Sequence, residues 1–176
     1  MELAVSAQSG DCGKESFKFL MSVYLSSQKV IKDWIDYNDH MNVSYYLLMF
    51  DKYGADTLNN IFKMGEHSAK TTKKSTMIVE SHITYNQELQ LNDEVDINCV
   101  YFDHDKKRLQ YKMEMIHKEK KFLASTIEIL ALYVDLNQRK VAEFEDEKVK
   151  LMDEFINNNK SKFNNENLKF SSKLKK

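Results

Sequence analysis

Four small polar or ionisable side chains alternate in the stretch WIDYNDHMNVSYY, which spans residues 34–46. They are Asp36, Asn38, His40 and Asn42. A carboxylate in this setting can act as a general base that activates water, or as a nucleophile itself. Imidazole and amide groups can orient that water or donate hydrogen bonds to a substrate carbonyl. The stretch therefore contains the groups that an acyl-transfer site needs.

The same residues also have a simpler interpretation as a turn followed by a helix cap. Asp, Asn and His are common in turns because their side chains bond to nearby backbone groups. Asn42 precedes an amphipathic segment and is of a type preferred at helix N-caps. Residue types alone favour the turn and cap over catalysis, and both interpretations stay open at this point.

A second pair of ionisable residues, Glu80 and His82, lies in the strand-like run MIVESHITY. Residues two apart on a strand point to the same face, so these two would lie side by side. Burial disfavours the charged form of a carboxyl group and so raises its pKa. A partly buried Glu80 would therefore be suited to proton transfer near neutral pH. The alternative is a solvent-facing pair on a half-exposed strand.

Glu128 is a further carboxylate, and it lies inside the apolar run STIEILALYV. An ionised group buried in such a strand needs a partner that compensates for its lost hydration. We therefore predict a structural role for Glu128, bonded to a neighbouring strand or loop, with a His or Arg as a suitable partner.

The periodicity of the chain predicts the elements that would position these residues. The run SVYLSSQKVI predicts a first strand. Apolar residues from Val43 to Ile61 recur every three or four positions and predict a long helix that Gly65 ends. Four strand-like segments follow, STMIVESHITY, DEVDINCVYF, KRLQYKMEMIH and FLASTIEILALYVD, and residues 145–156 predict a short helix. A mainly antiparallel sheet around one central helix, an α+β domain, follows from this order.

The composition is that of one globular domain with two atypical ends. The chain has 176 residues, of which 42% are hydrophobic and 30% charged. We predict an N-terminal extension over residues 1–22, a domain over 23–156 and a disordered tail over 157–176. The tail contains six Lys and one Glu, which favours a solubilising role over attraction to phosphates or a membrane surface.

Several kinds of site lack a motif in this sequence. Cys12 and Cys99 form neither a CxxC pair nor a metal-ligand spacing, and no HExxH motif is present. The chain has four Gly and no GxGxxG or P-loop motif. No window approaches the roughly 18 consecutive apolar residues of a membrane span. We therefore predict no metal, no cofactor, no nucleic-acid or membrane partner, and a cytoplasmic location.

The motif DYNDHMNVSYYLLMFD resembles the one that precedes the central helix in hotdog-fold thioesterases, often Asp-x-Asn-Gly-His-Met-Asn. The likeness extends through IVESHITYNQEL, DEVDI, DHDKKRLQYKMEM and LASTIEILALYVDL, over roughly residues 24–144. Within the superfamily the chain is similar to the 4-hydroxybenzoyl-CoA thioesterase-like branch. Its residues 79–85 also resemble the Val-Glu-x-His-x-x-Tyr pattern of betainyl-CoA thioesterases. Asp39 stands where the family often has Gly.

This resemblance implies hydrolysis of an acyl-CoA thioester, with coenzyme A as part of the substrate. It implies that Asp36 is the base or nucleophile, that His40 assists it, and that Glu80 is a second carboxylate. The substrate-binding residues that it implies are Asn38, Asn42, Tyr45 and Tyr46. It further implies a homodimer or homotetramer in which sites form at the subunit interface.

Two other functions fit the same sequence. A hydratase or dehydratase of this fold would act on acyl thioesters without releasing a thiol, and a non-catalytic member would only bind acyl-CoA or a protein partner. If the acyl group were a quaternary ammonium such as betainyl, aromatic rings could surround it. The rings near the motif are Trp34, Tyr37, Tyr45 and Tyr46. The same rings suit packing in the core or at an interface.

Overall fold

The computed structural model describes residues 22–175, so the N-terminal extension expected over residues 1–22 lies outside the described residues apart from Ser22. The strands in this range are β1 (Val23–Lys29), β2 (Lys74–Tyr85), β3 (Glu94–His104), β4 (Arg108–His117), β5 (Leu123–Asp135) and β6 (Lys140–Val141). The helices are α1 (Val43–Met49), α2 (Asp56–Ile61), α3 (Glu66–Thr72) and α4 (Asp146–Asn159). A π-helical segment, Phe50–Ala55, joins α1 to α2, and we call this continuous helix the central helix. Short 3-10 turns occupy Lys32–Trp34, Lys160–Lys162 and Ser171–Lys173.

The strands form one sheet in the order β1-β3-β4-β5-β2, and β6 pairs with β5. Every pair is antiparallel. β3, β4 and β5 are neighbours both in sequence and in the sheet, whereas β2 lies at the edge opposite β1. The predicted order of one strand, one long helix and four strands is confirmed, and so is the α+β class.

The central helix packs against one face of the sheet, and Gly54 lies where the two surfaces are close. A Cβ atom at Gly54 would lie 2.6 Å from Sδ of Met113 and 3.3 Å from Cγ2 of Ile97. A larger side chain here would push the helix off the sheet, because protein cores leave no room for added atoms. The buried side chains around this contact include Met49, Phe50 and Leu58 from the helix and Leu109, Tyr111, Met113 and Met115 from β4.

The two ends of the central helix differ in how far the sequence predicts them. Asn42 is the N-cap, as predicted, and its side-chain oxygen accepts a hydrogen bond from the N–H of Ser44 at 3.0 Å. The prediction that Gly65 ends the helix is wrong, because Lys63 takes the left-handed conformation there, with φ of 56°. Gly65 instead precedes α3, where a Cβ atom would lie 2.1 Å from Oδ1 of Asn60. A close contact therefore favours glycine at position 65.

Glu128 on β5 points away from the central helix, towards what we call the outer face of the sheet. Its neighbour Ile127 pairs with Met113, which lies beneath the helix. Successive residues of a strand point to opposite faces. Glu128 therefore belongs to the outer face, together with its cross-strand neighbours Lys112 and His82.

Residues 160–175 pack along the outer face, held there by Glu128. Both carboxylate oxygens of Glu128 accept hydrogen bonds from the N–H of Lys169, at 3.0 and 2.8 Å, and Oε1 accepts one from the N–H of Phe170 at 2.9 Å. Nε2 of Gln110 donates another, at 2.9 Å. Glu128 has the predicted structural role, but amide groups take the place of the expected His or Arg.

Aromatic side chains fix the same segment, which we call the C-terminal strap (residues 160–175). Phe163 packs against Tyr101 with ring centroids 6.1 Å apart, and Phe170 is buried. The disorder expected over 157–176 rested on low-complexity composition. The structure differs because a few apolar and backbone contacts hold the strap, and α4 leads into it. No helix within residues 22–175 has the length and apolar character needed to cross a membrane.

Candidate active site

The motif between β1 and the central helix folds into a tight turn. The N–H of Asp39 donates to the C=O of Asp36 at 3.1 Å, and the N–H of Asp36 donates to the C=O of His40 at 3.1 Å. Asp39 has a φ of 61°, in the left-handed region that favours glycine. Asp tolerates this conformation better than most residues do. The predicted turn is confirmed, and Asp39 fills a position that suits the Gly of related sequences.

The carboxylate of Asp36 is surrounded by the other polar residues of the motif. Its Oδ1 accepts a hydrogen bond from the N–H of Asn38 at 2.8 Å, and its Oδ2 accepts a long one from Nδ2 of Asn42 at 3.4 Å. Nδ1 of His40 lies 3.9 Å from Oδ1. The side chains of Asp36 and His40 keep 15% and 34% of their surface exposed. The turn therefore brings four of the predicted site residues together and leaves the carboxylate within reach of a ligand.

A pocket of about 220 Å³ opens beside His40. Its wall is formed by His40, Met41, Val43 and Tyr46 and by residues 85–88 at the end of β2. The rings of Tyr46 and Tyr85 meet edge to face, with centroids 5.3 Å apart. Burial raises the pKa of the Tyr46 phenol, so its hydroxyl stays protonated. Since His40 contacts both this pocket and Asp36, a ligand bound here would lie beside the motif.

The aromatic residues near the motif do not enclose one common space within a single chain. Trp34 and Tyr45 stack on each other, with centroids 5.6 Å apart, and Trp34 is buried. Tyr37 is 93% exposed. Tyr46 is buried, and its hydroxyl oxygen accepts a hydrogen bond from the N–H of Leu89 at 3.1 Å. Tyr46 alone of these four rings lines the pocket, while Tyr45 packs beside the motif.

Glu80, the expected second carboxylate, lies apart from Asp36 within one chain. Ile78 lines a cavity beside the central helix, and regular alternation would place Glu80 on that side too. A β-bulge between Ile78 and Glu80 reverses the alternation, so Glu80 shares the outer face with His82. There the carboxylate pairs with Lys173 of the C-terminal strap at 3.2 Å. This arrangement matches the alternative interpretation, a pair on an exposed part of the strand.

Most of the sequence matches a known family. The model of the thioesterase-like superfamily matches residues 30–155, which is most of the chain. This chain belongs to the thioesterase-like superfamily. It is similar to the betainyl-CoA thioesterase of Pseudomonas aeruginosa, with 26% identity over 118 residues, which cover 67% of this chain and 74% of that protein.

Solved structures place this thioesterase-like protein in the hotdog fold. A Staphylococcus aureus protein solved in complex with CoA aligns with a TM-score of 0.73 and 23% identity, over 78% of this chain and 86% of the other. A candidate thioesterase of Pseudomonas putida KT2440 aligns with a TM-score of 0.66 and 26% identity, over the same two shares. The hotdog fold expected from the motifs is thereby confirmed.

This thioesterase-like protein has a second cavity, between the central helix and β2, that the sequence did not indicate. Its volume is about 370 Å³. The central helix contributes Asp51, Asp56 and Asn59 to its wall, and β4 contributes Tyr111. In a regular α-helix, residues five apart lie about 140° apart around the axis. The π-helical segment changes this angle and brings both Asp side chains to one cavity, which the apolar periodicity of the helix does not reveal.

The second cavity contains several acidic side chains. Burial raises the pKa of the Asp56 carboxyl, and the nearby Asp51 and Glu66 raise it further. No group of three or more His, Cys, Asp or Glu side chains within residues 22–175 is arranged to hold a metal ion. The cavity is therefore acidic, but these residues do not form a metal site. It lies on the side of the central helix that faces β2.

Proposed function

We propose that this chain hydrolyses acyl-CoA thioesters, with Asp36 as the general base or nucleophile. The observation that carries the proposal is the Asp36 carboxylate, held by Asn38 and Asn42 and joined through His40 to a pocket of about 220 Å³. The superfamily match and the similarity to a betainyl-CoA thioesterase support the same reaction. The cytoplasmic location stays a prediction of the sequence.

In the general-base route, Asp36 takes a proton from a water molecule that attacks the thioester carbonyl carbon. The carbonyl oxygen becomes an oxyanion, which the side chains of His40 and Asn42 are placed to stabilise as hydrogen-bond donors. The C–S bond then breaks, and the leaving thiolate takes up the proton held by Asp36. The products are a free acid and coenzyme A with its thiol. In the nucleophilic route, Asp36 attacks the carbonyl carbon itself, and the C–S bond breaks as the CoA thiolate leaves. Water then hydrolyses the resulting anhydride, which regenerates the Asp36 carboxylate and releases the free acid, and a proton from this water goes to the thiolate.

A panel of acyl-CoA substrates with a dye that detects free thiols tests this function. We expect thiol release with at least one acyl-CoA. A hydratase or dehydratase would change the acyl chain without releasing thiol. Thermal stabilisation by acyl-CoA esters without either reaction would identify a binding protein and contradict hydrolysis.

The acyl group is proposed to be short and cationic, as in betainyl-CoA. The similarity to a betainyl-CoA thioesterase is one support. The pocket beside His40 is another, because Tyr46, Tyr85 and Glu88 line it, and aromatic rings and carboxylates both attract quaternary ammonium groups. A higher kcat/KM for uncharged short acyl-CoAs than for betainyl-CoA would contradict this choice.

We also propose a homodimer in which β2 pairs with β2 of a second copy. β2 is a twelve-residue strand at the edge of the sheet, and its side chains Met77, Ile78 and Val79 are 37%, 43% and 48% exposed. A long edge strand with exposed apolar side chains is a template for pairing, and twofold symmetry is the simplest closed arrangement. We propose a dimer and not a tetramer built by stacking outer faces, because the C-terminal strap covers that face. Light scattering tests this proposal. We expect the wild type to be a dimer and the Ile78→Lys variant to be a monomer.

A further inference from the structure

The cavity between the central helix and β2 is lined by the acidic side chains Asp51, Asp56 and Glu66. Among residues 22–175, no Lys, Arg or His contributes to its wall. Glu66 is paired with Lys70 outside the cavity. The carboxylates of Asp51 and Asp56 form no ion pair and accept no hydrogen bond from any residue within 22–175. Two carboxylates are therefore free to attract a cation.

The hydroxyl of Tyr111 gives a second and independent indication that this cavity holds a ligand. Tyr111 is 4% exposed, and its side chain lines the cavity. Within the described part of the chain its hydroxyl has no hydrogen-bond partner. Burial raises the pKa of this phenol, and the charges of Asp51, Cys99 and Asp56 raise it further, so the hydroxyl is protonated. Tyr111 thus presents an unpaired hydroxyl to the cavity, with which a bound ligand or water can form a hydrogen bond.

Lys52 is a competing cation on the same helix. It lowers the pKa of Asp56, but it is not part of the cavity wall. Its Nζ lies over the ring of Tyr53, 5.6 Å from the centroid. The cavity thus retains a net negative potential that a cationic ligand can neutralise.

The exposed edge of β2 relates this cavity to the pocket beside His40 of a second copy. Residues 77–82 are all exposed, and residues 75 and 76, at one end of this run, line the acidic cavity. Tyr85, beyond its other end, lines the pocket beside His40. Antiparallel pairing of two β2 strands about the middle of the run places residue 75 of one chain opposite residue 84 of the other, next to Tyr85. The acidic cavity of one chain then adjoins the pocket beside His40 of its partner.

We propose that the cavity lined by Asp51, Asp56 and Tyr111 binds the positively charged end of the acyl group while Asp36 of the partner subunit acts on the thioester. The inference rests on the proposed thioesterase function and dimer. In a betainyl group the quaternary nitrogen is separated from the carbonyl carbon by one methylene. The charge must therefore be stabilised directly beside the reacting bond, which an adjoining acidic cavity provides. Asp51 and Asp56 are thus assigned as determinants of specificity for cationic acyl groups.

Two substrates of the same shape test this assignment. Betainyl-CoA and 3,3-dimethylbutyryl-CoA differ only in a positively charged nitrogen in place of a neutral carbon. We expect the wild type to prefer betainyl-CoA by at least roughly tenfold in kcat/KM, as a nearby unpaired carboxylate would provide. We expect Asp51→Asn and Asp56→Asn each to reduce this preference several-fold, mainly through KM for betainyl-CoA. Circular dichroism spectra and thermal midpoints establish that each variant is folded.

The matched control is Asp146→Asn, which removes one exposed carboxylate from the first turn of α4, away from the cavity. It should keep the wild-type preference. A wild type that hydrolyses both substrates equally well would overturn the assignment, as would Asp51→Asn and Asp56→Asn variants that are folded and keep the wild-type ratio. Absence of thiol release from either substrate and from the wider acyl-CoA panel would instead overturn the proposed thioesterase function.

Discussion

Nδ2 of Asn42 lies 3.4 Å from Oδ2 of Asp36, so the residue that caps the central helix also contacts the candidate catalytic carboxylate. Its side-chain oxygen accepts from the N–H of Ser44 while its nitrogen faces Asp36. The cap and the polar cluster are therefore one structure, and the two interpretations of this motif are compatible.

Asn42→Ser separates the two roles of this side chain. Ser is as good an N-cap as Asn but cannot reach Asp36 with an amide, so the free energy of unfolding should change by less than about 0.5 kcal/mol. Turnover should fall roughly tenfold, the equivalent of one lost hydrogen bond. Urea denaturation and kcat/KM measure the two effects. Asn42→Ala should show the same fall in turnover and should also lower the free energy of unfolding by about 1 kcal/mol. Wild-type turnover in Asn42→Ser would show that the contact with Asp36 has no catalytic role.

Glu80→Gln tests whether the second expected carboxylate takes part in the reaction. Because Glu80 faces Lys173 on the outer face, we expect turnover within about threefold of wild type, an effect typical of a surface ion pair. Lys173→Gln removes the other half of the ion pair and should have the same small effect on turnover. A loss of turnover in Glu80→Gln but not in Lys173→Gln would restore Glu80 as a catalytic carboxylate.

Glu128→Gln should release the C-terminal strap. The change removes the charge from a buried carboxylate that accepts hydrogen bonds from Lys169, Phe170 and Gln110. We expect a loss of about 2 kcal/mol in the free energy of unfolding and faster proteolysis of the strap. Glu114→Gln, on the same face of the neighbouring strand, is the control and should change stability by less than about 0.5 kcal/mol. Equal protease resistance in both variants would contradict the anchoring role of Glu128.

Glu145 predicts an acid-sensitive part of the stability. Burial alone would raise the pKa of its carboxyl, but hydrogen bonds from Lys74, Lys148 and Tyr133 outweigh it and lower the pKa to about 2. A lowered pKa in the folded state gives stability that is present above the ordinary value of 4.5 and is lost as the pH falls towards 2. Glu145→Gln should therefore weaken the fall in stability over this range, measured by denaturation at several pH values. An unchanged pH profile would contradict the contribution of Glu145.

Local sequence patterns are sufficient to predict the elements and the turn of this protein. The helix cap at Asn42, the polar turn around Asp36 and the alternating β4 all depend on residues close in sequence. The same holds for the left-handed position of Asp39, which the resemblance to a Gly-containing motif indicates. These features could be predicted because neighbouring residues determine them.

Features that depend on distant contacts could not be predicted in the same way. The bulge before Glu80 shifts the alternation of side chains between the two faces of β2 by one residue. No residue type in the strand indicates this bulge. The backbone partners of Glu128, Lys169 and Phe170, lie about forty positions further along the chain, in a segment whose composition suggests disorder. The acidic cavity depends on the π-helical segment, which brings Asp51 and Asp56 together.

The most direct test of the account compares Asp36→Asn with Asp39→Asn on the acyl-CoA that the wild type hydrolyses fastest. Both changes remove one carboxylate from the same turn, and Asn tolerates the left-handed conformation at position 39. We predict that Asp36→Asn lowers kcat by about 10² to 10⁴ with the fold intact, whereas Asp39→Asn stays within about threefold of wild type. Wild-type thiol release by a folded Asp36→Asn variant would contradict the central role of Asp36.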